Sequence, residues 1–373
     1  MGALDGIRIL DLSRILAGPW ATQMLADLGA DVVKVEAEWG DDTRKWGPPF
    51  IGDDAAYFHS CNRGKRSMIL DLKTEESIQT LHQLIDCADV VVENFRAGTL
   101  EKWGIHPEKF DGKILCRITG YGQTGPRAAE PGYDIALQAM TGIMSVTGNA
   151  DGEPAKVGVA WIDVLTGMMA GNGILAALFH RERTGEGQII DLSLFDVALM
   201  AMVNQAQNWV ASGKDPTRMG HAHPNIVPYQ AFQAKDDWFI LACGNDSQFV
   251  SVCEVTKATQ LMRPELAENS GRLAARDEII EILSSIIVQH PVNYWVSEFS
   301  KSGVPCTPIL SVSQAFNDAQ AVARKALWNL DGQDSVANAL RFMSKTPAES
   351  TKRPPKLGEH TAEVIADWLG DER

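Results

Sequence analysis

The sequence predicts an α/β fold in which a large, Rossmann-like domain with a parallel sheet is joined to a smaller α+β domain. The chain has 373 residues, of which 45% are hydrophobic and 22% charged, so it is long enough for one large core or two smaller ones. Short apolar runs alternate with helical patterns in its first third, and a helix-rich block follows. Alternating strands and helices form parallel sheets that are covered on both faces.

The strand predictions rest on runs of Val, Ile and Leu that end at polar residues. These runs occupy residues 7–12, 31–36, 67–72, 89–93 and 113–118. A helix begins near Pro19 and ends near Gly29, because apolar residues between them recur on one face. A second helical pattern covers residues 74–85. The repeated order of strand, helix and strand therefore favours right-handed crossovers in a parallel sheet.

The rest of the chain contains a long apolar helix, further strands and a smaller domain. Residues 163–180 are rich in Gly, Ala and Met, which favours a tightly packed helix, and residues 188–194 resemble a strand. Residues 212–230 have loop composition. The smaller domain contains a strand at 238–243 and a helix at 277–288. The predicted domain ranges are 1–210 for the first part of the large domain, 225–310 for the small domain, and 311–373 for a C-terminal segment that returns to the large domain.

Charge and cysteine content exclude several classes of protein. The formal net charge is −14, which is unfavourable for nucleic-acid binding because phosphate contacts require clustered Lys and Arg. No apolar run approaches the roughly 20 residues of a membrane span, and the first six residues do not resemble a secretory signal. The six cysteines are scattered without a C-x-x-C pair. We therefore expect free thiols and a cytoplasmic protein.

Glycines and prolines surround one carboxylate, Asp134, at the predicted start of a helix. The sequence is GYGQTGP at residues 120–126 and PGYDI at residues 131–135. A carboxylate in the first turn of a helix stays ionised and is available as a nucleophile. Asp is also a preferred N-cap, and on position alone the cap is favoured over the catalyst.

Three segments that follow or precede strands are candidates for phosphate or base binding. The first strand–helix turn, residues 13–19, contains no G-x-G-x-x-G, so it either admits a phosphate or adenine at the sheet edge or is a simple connection. NRGKRS at 62–67, with Lys73 after the next strand, is the best local phosphate patch, although such charge runs are more often solvated. In NFR at 94–96, Phe95 could stack on a base and Arg96 could bind a phosphate, or the segment could simply start a helix.

A polar loop at residues 218–225, RMGHAHPN, carries two histidines. The H-x-H spacing has no third ligand in view, so we expect no metal. The glycine and the loop amides could instead stabilise an oxyanion or cover a site. Neither a G-x-S-x-G elbow nor a catalytic cysteine signature is present.

Taken together, these segments resemble the family III CoA-transferases, a group that includes formyl-CoA transferase, carnitine CoA-transferase and α-methylacyl-CoA racemase. The resemblance covers essentially the whole chain, and several motifs in the family order make it specific. They are LDGIRILDL (4–12), RILAGP (14–19), LADLGADVVKVE (25–36), NRGKR (62–66), VENFR (92–96), GYGQTGP (120–126), GYD (132–134) and GEGQ (185–188).

The resemblance implies a mechanism and a set of contacts to coenzyme A, which enters as a substrate thioester. The catalytic aspartate of the family falls on Asp134. Its carboxylate attacks the donor thioester to give a mixed anhydride, and the CoA thiolate returns to form an aspartyl-CoA thioester, from which an acceptor acid receives CoA. The implied CoA contacts are Ile15, Ala17, Lys34, Leu72, Lys73, Asn94, Phe95 and Arg96, with Arg66 as a further candidate.

One position separates the transferases from the racemases that resemble this chain. The racemases carry a His before the aspartate and use it with a second Asp as acid and base. Here Tyr133 precedes Asp134, and the second acid is Asp163. A phenol is a poor base near neutral pH, so an α-methylacyl-CoA racemase-like isomerase is the minor alternative. A non-catalytic acyl-CoA sensor is a further alternative, against which the presence of Asp134 argues.

The branch that uses succinyl-CoA with another dicarboxylate, such as glutarate, is the one this chain resembles most. The glycine-run loop of formyl-CoA transferase is absent, and residues 218–225 stand at the equivalent place, which argues against formate or oxalate. The second carboxylate of a dicarboxylic acceptor needs a cation. The candidates are Arg44, Arg218, His221 and His223. The resemblance also implies an interlocked homodimer, in which each chain threads through a ring made by the other.

Overall fold

The computed structural model describes residues 2–370, so the outermost ends of the predicted domains lie outside the described residues. Its strands are β1 Arg8–Asp11, β2 Asp31–Glu36, β3 Phe50–Ile51, β4 Asp54–Ala55, β5 Arg66–Ile69, β6 Val90–Glu93, β7 Ile114–Thr119, β8 Gln188–Ser193, β9 Tyr229–Gln233, β10 Trp238–Ala242, β11 Cys306–Pro308, β12 Leu327–Leu330 and β13 Gln333–Val336. Its α-helices are α1 Ala17–Asp27, α2 Ala56–Ser60, α3 Glu75–Cys87, α4 Thr99–Lys102, α5 Asp134–Met140, α6 Ile143–Val146, α7 Trp161–Thr184, α8 Leu194–Ala201, α9 Val203–Ser212, α10 Asp246–Thr256, α11 Asn269–Ala274, α12 Arg276–Ile287, α13 Val292–Lys301, α14 Val312–Asn317, α15 Ala319–Ala323 and α16 Thr361–Val364.

The chain divides into two compact units. The first consists of Met1–Ile143, Lys156–Lys214 and Ala319–Arg373, and the second of Met144–Ala155 and Asp215–Asp318. The sequence placed residues 144–155 inside the large domain, whereas the structure places them in the second unit. The reason is local pairing, since Gly220 N–H donates to Gly148 O at 2.9 Å and Arg218 binds the carbonyl groups of Asn149 and Gly152.

Six strands of the first unit form one parallel sheet in the order β5-β2-β1-β6-β7-β8. The prediction of a parallel sheet is confirmed, and each of its strands falls on a predicted apolar run. The largest boundary difference is in β5, which ends at Ile69 rather than at residue 72. Residues 70–72 instead lie in the connection to α3, where they become part of a cavity wall.

Helices cover both faces of this sheet because successive strand residues point to opposite sides. Ile9 of β1 packs in a core that contains residues of α1 and α7, including Leu25 and Ile174. The next residue, Leu10, belongs to a second core with Leu81 of α3 and the C-terminal Trp368. The apolar runs read as uninterrupted in the sequence because both faces of each strand are buried.

The strand order reverses direction between β1 and β6. From β1 the chain builds outwards through β2 and β5, and from β6 it builds the other way through β7 and β8. The connections after β1 and β6 therefore leave the sheet on opposite sides, which opens a crevice at the carboxyl ends of these two strands. Ligands of open α/β sheets bind at such a position.

The second unit has its own antiparallel sheet, β11-β10-β9. Strand β9, which the sequence did not predict, pairs with β10 through residues Tyr229–Gln233. Helices α10, α12 and α13 pack on a core that includes Phe239, Trp295 and Phe299. The predicted strand at 238–243 and helix at 277–288 correspond to β10 and α12 within one residue at each end.

Helix α7 corrects the expectation that no apolar run approaches the length of a membrane span. It has 24 residues, and its best window reaches a mean hydropathy of 1.5, so length and composition alone would allow it to span a membrane. About half of that window, 44%, is buried within the protein. Core helices of soluble proteins meet the same criterion, so a single such helix is weak evidence for a membrane location.

Candidate active site

The turn between β1 and α1 is bound to the segment that follows β6. The backbone N–H of Arg14 donates to Asn94 Oδ1 at 2.9 Å, and Asn94 Nδ2 donates to the Arg14 carbonyl at 2.8 Å. Ile15 adopts a left-handed conformation with φ 72°, which a β-branched residue rarely takes without support from its surroundings. Two segments that the sequence predicted as ligand contacts are therefore held together at the crevice.

Buried charges support this turn from within the protein. Lys34 has no exposed surface, and its Nζ donates to the Ser13 carbonyl at 2.8 Å and pairs with Asp41 at 3.0 Å. Asp41 also accepts a hydrogen bond from the N–H of Ile15 at 3.2 Å. Burial opposes the charge, but Asp41 and Asp11 raise the pKa of Lys34 above its usual value. The predicted direct contact of Lys34 with CoA is therefore corrected: Lys34 shapes the turn from inside.

The cations of residues 62–67 also have partners inside the protein. Lys65 is buried, and its Nζ lies 2.9 Å from Asp11 Oδ2. Burial alone would raise the pKa of Asp11, but the positive charges of Lys65 and Lys34 outweigh it and lower that pKa to about 2. The guanidinium of Arg63 pairs with Asp27 at 2.7 Å. Arg66 pairs with Asp31 at 2.6 Å and with two acids of the C-terminal segment. The predicted phosphate patch, including Arg66, is a set of structural ion pairs.

Two cavities of the first unit have Arg14 and Phe95 in common. The first has a volume of about 320 Å³ and the second of about 270 Å³. Five predicted CoA contacts line the first cavity, namely Ile15, Ala17, Asn94, Phe95 and Arg96. The second cavity is lined by the other predicted contacts that reach a surface, Leu72 and Lys73, again with Phe95. The two cavities thus bring together every predicted CoA contact except the buried Lys34 and Arg66.

Aromatic rings form much of the wall of the second cavity. The rings of Phe95 and Trp103 meet edge to face with their centroids 5.2 Å apart, and Lys73 Nζ lies 4.7 Å from the centroid of Trp39. Lys73 is exposed, and nearly half of Trp39 is accessible. An apolar cavity with aromatic walls and a cation at its edge suits a flat base that carries phosphate groups.

The glycine-rich segment before Asp134 makes a close backbone contact at the end of β7. A Cβ atom on Gly120 would lie 2.5 Å from the Cα of Gly132, and a Cβ on Gly132 would lie 2.3 Å from the Cα of Gly120. Only glycine at both positions allows this approach. The contact fixes Tyr133 and Asp134 in the wall of the first cavity.

Asp134 is the first residue of α5, as predicted, and its carboxylate is fully engaged. Its Oδ1 accepts hydrogen bonds from the backbone N–H of Ile162 at 2.8 Å and of Asp163 at 3.4 Å. Its Oδ2 accepts one from Gln138 Nε2 at 2.6 Å. Ile162 and Asp163 lie in the first turn of α7, so Asp134 satisfies the free N–H groups of a helix other than its own.

Asp163 lies in the wall of the same cavity, in the first turn of α7. Within residues 2–370 its carboxyl group accepts no hydrogen bond, in contrast to that of Asp134. Burial, followed by the negative charge of Asp134, raises the pKa of Asp163 from 3.8 to about 7. Both acids also affect Tyr57. Burial and then the negative charges of Asp163 and Asp134 raise the pKa of Tyr57 to about 12. Perturbed carboxyl groups in a cavity are candidates for chemistry.

Two further predicted residues have different surroundings. Arg44 binds Glu36 through two hydrogen bonds of 2.7 and 2.8 Å and Asp54 through a third of 2.8 Å, and it is almost completely buried. Arg44 is therefore engaged as a structural cation. Tyr133, which separates transferases from racemases, lines the first cavity with 68% of its surface exposed.

Arg218, His221 and His223 lie in the second unit. Arg218 donates to the carbonyl groups of Asn149 and Gly152 at 3.3 and 3.0 Å. His221 Nδ1 accepts a hydrogen bond from Ala231 N–H at 3.2 Å, and burial and Arg276 lower the pKa of His223. No group of three His, Cys, Asp or Glu side chains that could hold a metal occurs in the part of the chain that the structure describes.

Comparison with known proteins agrees with this geometry. Residues 4–361 match the family described as CoA-transferase family III. The chain belongs to this family. A CAIB/BAIF family protein from Brucella suis has a similar structure, with a TM-score of 0.89 and 45% identity over 98% of this chain and 99% of that one.

Relatives within CoA-transferase family III have several named substrates. A succinate–glutarate CoA-transferase of Agrobacterium fabrum is 44% identical over 99% of this chain and 96% of that protein. The succinyl-CoA:glutarate CoA-transferase of Mus musculus is 39% identical over 99% and 87%. An acetyl-CoA:oxalate CoA-transferase of Acetobacter aceti is 38% identical over 100% and 97%.

Among the site residues of this CoA-transferase, the sequence undervalued Asp163 and Arg14. The sequence predicted Asp163 only as the second acid that a racemase would use, and it predicted Arg14 only as part of a family motif. A signal for Asp163 was present, since it is the acidic residue at the start of an otherwise apolar helical run. Its missing hydrogen bonds depend on where Asp134 is placed, which only the folded chain decides.

Proposed function

We propose that this protein transfers CoA from succinyl-CoA to a dicarboxylic acid such as glutarate, through an aspartyl anhydride and an aspartyl-CoA thioester. The observation that carries the proposal is the pair of carboxyl groups, Asp134 and Asp163, in the wall of a cavity that also contains the predicted CoA contacts. The names of the relatives that are 44% and 39% identical support the choice of substrates.

Coenzyme A would occupy both cavities. Its adenine would enter the second cavity between Trp39, Phe95 and Trp103, with Lys73 near a phosphate. Its pantetheine arm would run through the first cavity towards the carboxyl pair. The diphosphate would lie where the cavities meet, at Arg14. This guanidinium is about half exposed, and among residues 2–370 its one ion pair is a long one of 3.7 Å with Asp42, so it is available to phosphate oxygens.

We assign the attack to Asp163 rather than to Asp134, which the sequence predicted. Both oxygens of Asp134 already accept hydrogen bonds, which lowers their tendency to attack a carbonyl carbon. Asp163 has no such stabilisation within the described residues, and its raised pKa indicates a more basic carboxylate. A less stabilised carboxylate is the stronger nucleophile once it is ionised.

The bond changes balance without net proton transfer. Asp163 forms a C–O bond with the thioester carbonyl carbon, the C–S bond breaks, and CoA leaves as a thiolate from a mixed anhydride. The thiolate then attacks the Asp163 carbonyl carbon and releases the donor acid as a carboxylate. The acceptor carboxylate attacks the resulting aspartyl-CoA thioester, and the thiolate returns to the acceptor carbonyl carbon. These steps form the new acyl-CoA and restore the Asp163 carboxylate.

The second carboxylate of the acceptor requires a cation, for which Arg218, His221 and His223 remain the candidates predicted from the sequence. Arg218 uses its Nε and one terminal nitrogen for the carbonyl groups of residues 149 and 152. Arg44 is not part of the proposal, because Glu36 and Asp54 already neutralise it. If Arg218→Ala left the KM for glutarate unchanged while activity persisted, this part of the proposal would be wrong.

We also propose a homodimer in the cytoplasm, with the interlocked arrangement that the family resemblance implies. Its support is apolar surface on the first unit. Every residue of α9 is at least partly exposed, with Val203 at 70%, and Phe179 of α7 is 65% exposed. A second copy would cover these side chains, since exposed apolar side chains on a protein surface can mark an interaction site. Light scattering that shows a monomer at working concentration would contradict the dimer.

A trapping experiment tests the chemistry. The protein is incubated with succinyl-CoA and hydroxylamine, and the resulting hydroxamate is located by peptide mass spectrometry. A transferase of the proposed kind gives a hydroxamate on Asp163. A hydroxamate on Asp134 would restore the sequence prediction, and none on either residue would favour the racemase-like isomerase or the sensor. A screen of short mono- and dicarboxylic acids, with oxalate included because of the Acetobacter aceti relative, then identifies the acceptor.

A further inference from the structure

The start of α7 is held by a side chain from outside that helix. Asp134 Oδ1 accepts the N–H groups of Ile162 and Asp163, at 2.8 and 3.4 Å, and both belong to the first turn of α7. The other oxygen, Oδ2, is fixed by Gln138 Nε2 at 2.6 Å. Gln138 is buried, and its Oε1 accepts the N–H of Val157, which lies in the segment that leads into α7. Asp134 and Gln138 therefore set both the approach to α7 and its first turn.

We propose that Asp134 is a positioning residue that occupies the N–H groups at the start of α7 and thereby keeps the carboxyl group of Asp163 free for attack. This inference rests on the proposed function, in which Asp163 is the nucleophile. It gives Asp134 a role in the reaction through Asp163 and not as the nucleophile. It also explains why two acids lie close together in a cavity that has to admit anionic substrates.

Without Asp134, the first turn of α7 would stabilise Asp163 itself. The free N–H groups of a helix start attract a carboxylate in that turn, both through hydrogen bonds and through the helix dipole. A carboxylate three residues into a helix can fold back to reach such donors. The hydrogen bonds to Asp134 remove these donors, and the Asp134 charge adds repulsion. Both effects keep the carboxyl group of Asp163 basic and free of hydrogen bonds.

Other charged groups near Asp163 do not replace Asp134 in this role. Tyr57 of α2 interacts electrostatically with both acids but carries no charge near neutral pH, because burial and then Asp163 raise its pKa to about 12. Arg14, Asp42, Arg96 and Glu130 line the same cavity. The electrostatic effect on the pKa of Asp163, after that of burial, comes from Asp134.

Two substitutions separate the hydrogen bonds of Asp134 from its charge. In Asp134→Asn the side-chain oxygen still accepts the two N–H groups of α7, but the negative charge and the hydrogen bond from Gln138 Nε2 are lost. In Asp134→Ala the charge and all of these hydrogen bonds are lost, so Asp163 can take the N–H groups for itself. We expect kcat to fall about tenfold in the first variant and about a hundredfold or more in the second. The KM for succinyl-CoA should change less than about threefold, because the carboxylate oxygens of Asp134 bind Ile162, Asp163 and Gln138 and are not proposed to hold CoA.

The pH profile distinguishes this role from a merely structural one. The attacking form of Asp163 is the anion, so the acid limb of kcat/KM follows the pKa of Asp163. Loss of the neighbouring negative charge lowers that pKa, and the limb should move to lower pH in Asp134→Asn and further in Asp134→Ala. Isotope-edited infrared spectroscopy of the Asp carboxyl groups reports the same shift without reference to activity. Asp277→Asn, in the first turn of α12 in the second unit, is the matched control and should leave the profile in place.

The outcomes separate the two proposals. If hydroxylamine trapping locates the acyl group on Asp163 but the acid limb stays in place in both Asp134 variants, this inference is wrong and the proposed function stands. If trapping locates the acyl group on Asp134, the proposed nucleophile and this inference fail together. A graded shift from wild type to Asp134→Asn to Asp134→Ala, with trapping on Asp163, supports both.

Discussion

The first unit holds two groups of charges close to the crevice, and they are built in opposite ways. Behind the turn after β1, Lys34 and Lys65 alternate with Asp11 and Asp41, all of them buried and paired at about 3 Å. In the wall of the first cavity lie two acids, and among the described residues only the carboxyl group of Asp134 accepts hydrogen bonds. The charges behind the turn are therefore compensated by opposite charges, whereas those of Asp134 and Asp163 are not.

The paired charges support the structure, whereas the acid pair is available for chemistry. Compensated buried charges fix a turn that contains the strained backbone of Ile15, because removal of any member leaves an unpaired buried charge. The acid pair retains an interaction that is unfavourable when both members are ionised, and this raises the pKa of Asp163. Reactivity is thus expected where the compensation is incomplete.

The largest expected effect is on catalysis by the uncompensated acid. Asp163→Asn keeps the shape of the side chain but cannot form an anhydride, so kcat should fall by about a thousandfold or more. Steady-state kinetics with succinyl-CoA and glutarate measure the loss, and calorimetry should show that CoA still binds. Transfer at more than a tenth of the wild-type rate would contradict the role of Asp163. It would also contradict the assignment of reactivity to the uncompensated group of charges.

A large effect on stability is expected in the compensated group. Lys34→Met leaves Asp41 buried without its cation and removes the hydrogen bond to the Ser13 carbonyl. The free energy of unfolding should fall by about 3–5 kcal/mol. Urea unfolding measures the change, and Lys45→Met, at an exposed position nearby, serves as the control. Equal stabilities of the two variants would show that the buried cluster does not support the turn.

The pH dependence of stability should differ between the two groups. Asp163 binds its proton more tightly in the folded protein, so the stability that this contributes is present near pH 4 and is lost as the pH rises through about 7. Asp163→Asn should therefore gain about 1–2 kcal/mol over wild type between pH 5 and pH 8, after allowance for solvent screening. Asp11 has the opposite sign, since its contribution is lost as the pH falls towards 2. Urea unfolding at pH 5 and pH 8 measures the change. If the free energies of unfolding of wild type and Asp163→Asn differed by the same amount at both pH values, the raised pKa of Asp163 would be contradicted.

The smallest expected effect concerns Arg14, which stands between the two groups at the crevice. Arg14→Gln keeps the backbone hydrogen bonds to Asn94 but removes the proposed diphosphate ligand. The KM for succinyl-CoA should rise about tenfold, with kcat nearly unchanged. Lys45→Gln is the control for a general loss of positive charge. An unchanged KM would place the CoA diphosphate elsewhere.

The fold was largely predictable because its signals are local. Each strand of the parallel sheet is an apolar run that is buried on both faces, and such runs are visible without knowledge of their partners. The contact between Arg14 and Asn94 was not predicted, because it depends on β1 and β6 being neighbours in the sheet, which brings the segments after these two strands together. Strand β9 was missed because its residues, Tyr229–Gln233, mix polar and apolar side chains within a region of loop composition.

The family, the parallel sheet and the segments that line the crevice could be predicted from the sequence, because each depends on residues that are near in the chain or on motifs in a given order. The tertiary structure alone decided which charges are free. Lys34, Arg44 and Arg66 became internal partners of acids that are 7 to 301 residues distant, and Asp134 became the cap of a helix that begins 27 residues later. Compensation of a charge depends on distances in the folded protein, and no spacing along the chain determines them.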